Sequence, residues 1–124
     1  MASNPVQWFE IAVADMNRAR QFYEAVFEVS LTNMPSPGVP EYWTFPMKDD
    51  LVGAGGALTK MEGMSPGAGG TLIYFHCDDC ATEQARVEPA GGKVLQPKMA
   101  VANYGFIAIV MDSEGNTIGL YSKQ

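Results

Sequence analysis

Basic residues are scarce in this chain. Eight Lys and Arg stand against fourteen Asp and Glu over 124 residues, for a formal charge of −6. The few cations are scattered rather than clustered, which argues against a nucleic-acid partner, since phosphate contacts need grouped Lys and Arg. Histidine occurs once, as His76, and cysteine twice, as Cys77 and Cys80. That excludes a disulfide scaffold and any histidine-rich or four-cysteine metal centre within one chain. No apolar run approaches the ~18–20 residues of a membrane span. Met1 to Pro5 lacks a charged segment leading into an apolar one, so no secretory signal is read there. The expectation is a cytoplasmic protein without membrane contact. Hydrophobic residues reach 47%, enough for a folded core, and the length fits one domain over residues 1–124.

Pro5 to Val13 is rich in aromatic and β-branched residues and predicts a strand. Asp15 is placed to cap a helix. Met16, Ala19, Phe22, Tyr23, Val26 and Phe27 then recur at three and four residues, the stripe of an amphipathic helix. Arg18, Arg20, Gln21 and Glu24 fall mostly off the stripe and are expected in solvent. Short strands are expected over Val29–Thr32, Glu41–Met47 and Gly53–Lys60, with a loop at Pro35, Pro37, Gly38 and Pro40. Tyr42-Trp43-Thr44-Phe45 shows no polar face and is expected at a sheet or subunit contact. Glu62–Gly70 carries four glycines and Pro66, and reads as a linker.

The second half repeats the first. Thr71–Cys77 reads as a strand, Asp79 as a cap, and Ala81–Glu88 as a helix closed by Gly91-Gly92 in left-handed conformation. Strands follow at Val94-Leu95, Phe106–Met111 and Asn116–Ser122. At an offset of 64, Trp8-Phe9-Glu10-Ile11 falls on Leu72-Ile73-Tyr74-Phe75, Asp15 on Asp79 and Leu31 on Leu95. Near the module ends the offset is 62, placing Gly56-Ala57-Leu58-Thr59 on Ile118-Gly119-Leu120-Tyr121. The fold class is therefore α+β: two pseudo-symmetric βαβββ modules, about 6–61 and 71–122, joined by the linker at about 62–70. Together they form a curled sheet, or cup, with helices on its outer face.

Trp8-Phe9-Glu10-Ile11-Ala12-Val13-Ala14-Asp15-Met16, with Arg18-Ala19 and Phe22-Tyr23, resembles the opening strand and helix of the vicinal oxygen chelate superfamily. That group includes glyoxalases, bleomycin resistance proteins and extradiol dioxygenases. Cys77-Asp78-Asp79, Gly91-Gly92-Lys93-Val94 and Asp112-Ser113-Glu114-Gly115-Asn116-Thr117-Ile118 are similar to the second module. The resemblance implies a divalent ion held by His, Glu or Gln from the first and last strand of each module. The matching positions here are Trp8, Ala57, Leu72 and Gly119. None offers a side-chain ligand, so the expectation is the family's fold with no metal and no other cofactor.

Strand alternation puts Trp8, Glu10, Ala57, Thr59, Leu72, Tyr74, His76, Gly119 and Tyr121 on the cup-facing side as ligand-binding candidates. Aromatic and small residues with few polar groups are the usual make-up of a small-molecule site. The leading expectation is binding of a small planar or aromatic molecule. Glu10 and His76 are the candidate catalytic groups of a second reading, a metal-independent isomerase or lyase; hydrogen-bonded to Tyr74, its pseudo-symmetric partner, Glu10 would have only a packing role, and His76 at the strand end would be a solvated rim residue. A metal-dependent lyase of the lactoylglutathione type ranks third. A homodimer is expected, because the curled sheet leaves open edges. Cys77 and Cys80 read as buried, inert thiols rather than a redox pair, and the Gly-rich segments lack the Lys-Ser/Thr ending of a phosphate loop.

Overall fold

The computed structural model describes residues 4, 6–35, 39, 41–48 and 50–124. Pro5, Pro37, Gly38 and Pro40, which the sequence assigns to a strand start and a loop, lie outside them. The first module contains β1 (Trp8–Ala12), α1 (Met16–Phe27), β2 (Thr32–Asn33), β3 (Glu41–Thr44) and β4 (Gly55–Lys60). The second contains β5 (Tyr74–His76), α2 (Cys80–Val87), β6 (Lys93–Ala100), β7 (Phe106–Met111) and β8 (Thr117–Ser122). Each set of strands forms one four-stranded sheet, ordered β1-β4-β3-β2 and β5-β8-β7-β6. The first and last strand of each module are parallel neighbours, and the remaining pairs are antiparallel. The architecture is the two-module α+β arrangement expected, with two separate ladders making up the curled sheet.

The ladders carry the repeat in register. Glu10 pairs with Ala57, Ile11 with Leu58 and Ala12 with Thr59. The second module pairs Tyr74 with Gly119, Phe75 with Leu120 and His76 with Tyr121. These are the same pairs moved by 64 on one strand and 62 on the other. Both helices begin at the expected aspartate. The Asp15 carboxylate accepts the Arg18 N–H at 3.1 Å, and that of Asp79 accepts the Ala81 N–H at 3.0 Å.

The stripe of α1 is buried as its spacing demands: Met16, Ala19, Phe22, Tyr23 and Val26. These side chains join Ile11, Leu58 and Phe45 of the first sheet and Val87, Ala108, Val110, Ile118 and Leu120 of the second in one core. At its centre Tyr23 packs on both modules, with ring centroids 5.5 Å from Phe45 and 6.0 Å from Phe75. No helix among the described residues is long and apolar enough to cross a membrane.

Several boundaries differ from the sequence expectation, each for a local reason. The second strand is displaced past Leu31 because the Glu24 carboxylate captures the Leu31 N–H at 2.9 Å. Glu24 is thus tied down rather than free in solvent. Arg20 is also engaged, its guanidinium lying 3.5 Å from the centroid of Trp43. The strand expected at Val94-Leu95 runs for eight residues, through Pro97. It lies at a sheet edge, where a residue without an N–H is tolerated, and its pairing slips on either side of Gln96. After α2 only Gly91 is left-handed, at φ +102°. Gly92 serves another purpose: a Cβ there would collide with the Met111 carbonyl, Phe22 and Val87.

The turn Asp112–Asn116 joins the modules. The buried Asp112 carboxylate accepts the Tyr23 hydroxyl at 2.7 Å and the Asn116 side chain at 3.0 Å. Asn116 also donates to the Ala12 carbonyl at 2.8 Å and accepts the linker Gly67 N–H at 2.9 Å. Glu114 Oε1 receives the Ala14 and Asp15 N–H groups at 2.9 and 2.8 Å, and Oε2 receives Arg18 Nε at 2.6 Å. Although burial pushes the Glu114 carboxyl up, Arg18 and the two backbone donors outweigh it and hold the group at about 2. A motif read in the sequence as a family-like turn is therefore also the clasp between the halves.

Candidate functional site

The pleat places Phe9, Ile11 and Val13 toward the helices and Trp8, Glu10 and Ala12 on the opposite face. Exposure follows this alternation. Trp8 is 38% exposed and lies over Gly55, where an added Cβ would come within 3.1 Å of the indole. Its Nε1–H donates to the Tyr42 hydroxyl at 3.0 Å, which in turn donates to Glu10 Oε2 at 2.6 Å. Since β4 lies between β3 and β1, the Tyr42 side chain must cross β4 to make these bonds. Small residues at Gly55 and Ala57 give it room.

Glu10 therefore has a partner other than the one expected. Tyr42 of its own sheet holds it, whereas Tyr74 lies against Gly119. The chain Trp8–Tyr42–Glu10 fixes the indole plane and occupies one carboxylate oxygen, leaving Oε1 without a hydrogen-bond partner among the described residues. Burial first, and the Glu10 hydrogen bond next, raise the Tyr42 hydroxyl above its ordinary pKa. At neutral pH it is a donor and not a base. Ala57 and Thr59 are fully buried beneath this arrangement. They form its floor, and a ligand reaches them only if Tyr42 moves.

Tyr42 escaped the sequence reading because Tyr42-Trp43-Thr44-Phe45 looks uniformly apolar. The strand in fact splits it. Trp43 pairs across from Leu58 on the core side, while Tyr42 pairs with Thr59 on the open side. The signal was present in the alternation of the strand and in the small residues of its neighbour.

In the second module, Leu72 and Tyr74 are 40% and 46% exposed, and His76 is exposed as well. The Tyr74 ring folds over Gly119 closely enough that no Cβ would fit there. Tyr121 donates its hydroxyl to the Tyr104 carbonyl. Tyr74 and His76 also line a cavity of about 400 Å³ with residues of the first module, whereas Leu72 lines a separate hollow with Gly69, Gly70, Thr71 and Thr117. The candidate residues thus form two groups, Trp8, Glu10, Ala57 and Thr59 on the first sheet and Tyr74, His76, Gly119 and Tyr121 on the second, with Leu72 just before β5 rather than within the strand expected from Thr71. Cys77 and Cys80 are buried free thiols. Burial, then the nearby Glu83 charge, pushes Cys77 up to about 12, which leaves it protonated and unreactive.

The side chains at the four positions that the resemblance assigns to a divalent ion do not fit one. Trp8 commits its only polar hydrogen to Tyr42, Ala57 is a buried methyl, Leu72 is aliphatic, and Gly119 lies under an aromatic ring. None has a lone pair to offer a metal.

Residues 6–120 match the model of the Glyoxalase/Bleomycin resistance protein/Dioxygenase superfamily. The chain is 28% identical over 129 residues to the anthracycline biosynthesis protein DnrV of Streptomyces peucetius, covering 94% of this chain and 46% of that protein. It thus spans about half the length of the curated relatives it matches. Among solved structures, it is similar to TnmS3, an antibiotic binding protein from Streptomyces sp. CB03234. The identity is 26% and the TM-score 0.71, over 100% and 99% of the two chains. A glyoxalase-related enzyme from Fulvimarina pelagi shares the fold at 19% identity and a TM-score of 0.73, over 94% of this chain and 86% of the other. Motif order, strand register and these likenesses agree: the chain belongs to the Glyoxalase/Bleomycin resistance protein/Dioxygenase superfamily.

Proposed function

We propose that this protein binds a small planar or aromatic molecule on the open face of the first sheet, without a metal ion. The observation that carries the reading is the Trp8–Tyr42–Glu10 chain. It fixes a partly exposed indole where the fold's first metal ligand would stand, and leaves one carboxylate oxygen beside it. A flat ring stacked there gains ~0.5–1.5 kcal/mol beyond burial, and Glu10 selects for ligands that donate hydrogen bonds or carry positive charge. The net charge of −6 disfavours dianions. The likeness to an antibiotic binding protein and to an anthracycline biosynthesis protein supports a polycyclic aromatic ligand.

The reading extends to a cytoplasmic homodimer, formed through the open edges of the sheets, with no nucleic-acid partner. The test is titration with an anthracycline while following tryptophan fluorescence. Micromolar binding that quenches Trp8 and weakens about tenfold in Trp8→Ala, roughly 1.4 kcal/mol, is the expected result. Equal affinity in the folded variant overturns the proposal. Turnover by Glu10 or His76 is the alternative. It is favoured only by the free Oε1, and would appear as product formation abolished by Glu10→Gln with binding retained.

A further inference from the structure

The cavity of about 400 Å³ between the modules shares Gly55 with the floor under Trp8, but Trp8, Tyr42 and Glu10 do not line it. Its volume is that of an ordinary small-molecule site. Phe9, Phe27, Phe45 and Phe75 line it, and all belong to the aromatic cluster on the helix side of the sheets. The rings brace one another. Phe27 and Phe75 stack with centroids 4.6 Å apart, Phe9 meets Phe75 edge-on at 5.9 Å, and Phe45 lies 5.7 Å from Phe75. The wall is therefore preformed.

One acidic side chain, Glu83 of α2, lines the same space. Its Oε1 is sealed from solvent, with the Cys77 thiol beside the carboxylate and no other donor to it among the described residues. Each ion pair found among those residues uses other carboxylates. Glu83 as a whole is only partly buried, and its carboxylate gives a largely apolar wall the negative charge that an entering cation would neutralise. A metal ion is a poor candidate, because the lining offers one carboxylate and one imidazole among hydrocarbon rings. An organic ammonium suits it: aromatic faces attract such ions while the carboxylate neutralises them. The protein's negative charge draws cations toward the opening.

We propose that this cavity is a binding site for a hydrophobic organic ammonium ion, held by Glu83 against the rings of Phe9, Phe27, Phe45 and Phe75. The site does not depend on the function proposed for the Trp8 face. Its probe is benzyltrimethylammonium, compared with neopentylbenzene, in which carbon replaces the charged nitrogen. Both are titrated into the isotope-labelled protein and followed by amide NMR shifts.

The expected result is saturable binding of the cation, with shifts at residues 73–76, at 52–55 and along α2. The neutral isostere should bind at least tenfold more weakly to the unmodified protein. Glu83→Gln should weaken the cation by tenfold or more, and Trp8→Ala should leave it unchanged. Equal affinity for the two probes, an unaffected Glu83→Gln, or shifts confined to Trp8 and Tyr42 would overturn the proposal. The isostere comparison decides the matter even if the Glu83 variant does not fold.

Discussion

Replacing Glu114 by Gln tests the clasp between the modules. The side chain is sealed from solvent, with 0% exposure, while Arg18 is 54% exposed. Its carboxyl lies at about 2 in the folded protein against an ordinary 4.5. A difference of about 2.5 units corresponds to a ceiling of about 3 kcal/mol. The exposure of Arg18 lets water and salt screen part of this, and about 2 kcal/mol is the working expectation. Because the folded value lies below the unfolded one, the contribution is present in full above pH 4.5 and is lost as pH falls toward 2. By pH 3 more than half of it is gone. Urea unfolding of the parent and Glu114→Gln should therefore differ by about 2 kcal/mol at pH 7, or about 8 °C in melting temperature for a domain of this size. The gap should shrink by at least half at pH 3. A gap below about 0.5 kcal/mol at pH 7, or one unchanged at pH 3, would refute the assignment of the stabilisation to the ionised carboxylate.

Three further outcomes follow from the same geometry. Tyr23→Phe removes one donor from the buried Asp112 carboxylate and should cost about 1–3 kcal/mol in urea unfolding; a neutral effect would mean that another donor replaces it. Cys77 and Cys80 should remain unmodified by an aromatic disulfide reagent in the native state and react on unfolding; rapid native-state reaction of either would contradict their burial. Added Ni²⁺, Zn²⁺ or Mn²⁺ should not raise the melting temperature or elicit lactoylglutathione lyase activity; tight metal retained after dialysis and lost in Glu10→Ala would show a ligand set displaced along the first strand.

Much of the fold was legible because both modules use the same local chemistry. Asp15 and Asp79 cap helices at matching positions, and the 64 and 62 offsets reproduce the strand pairs of both ladders. Alternation correctly divided Trp8 and Glu10 from Phe9 and Ile11. Less legible were features that depend on what lies across a strand. Tyr42 reaches Glu10 only because β4 offers Gly55 and Ala57 between them, a fact of pairing absent from the Tyr42 segment itself. Pro97 hid the length of β6, since a proline in a strand is acceptable only once that strand is known to be an edge.

The clasp described above also sets an order of events during synthesis. The N–H groups of Ala14 and Asp15 wait for a carboxylate 100 and 99 residues farther along the chain. Until Glu114 emerges, the first helix has only its own Asp15 side chain at its start, and Tyr23 lacks the Asp112 acceptor. Such long loops close slowly. The amino-terminal module therefore leaves the ribosome with its aromatic core unsealed, and its final consolidation awaits the last hairpin. Agents that act on nascent chains, whether chaperones or proteases, would meet that module in its incomplete form.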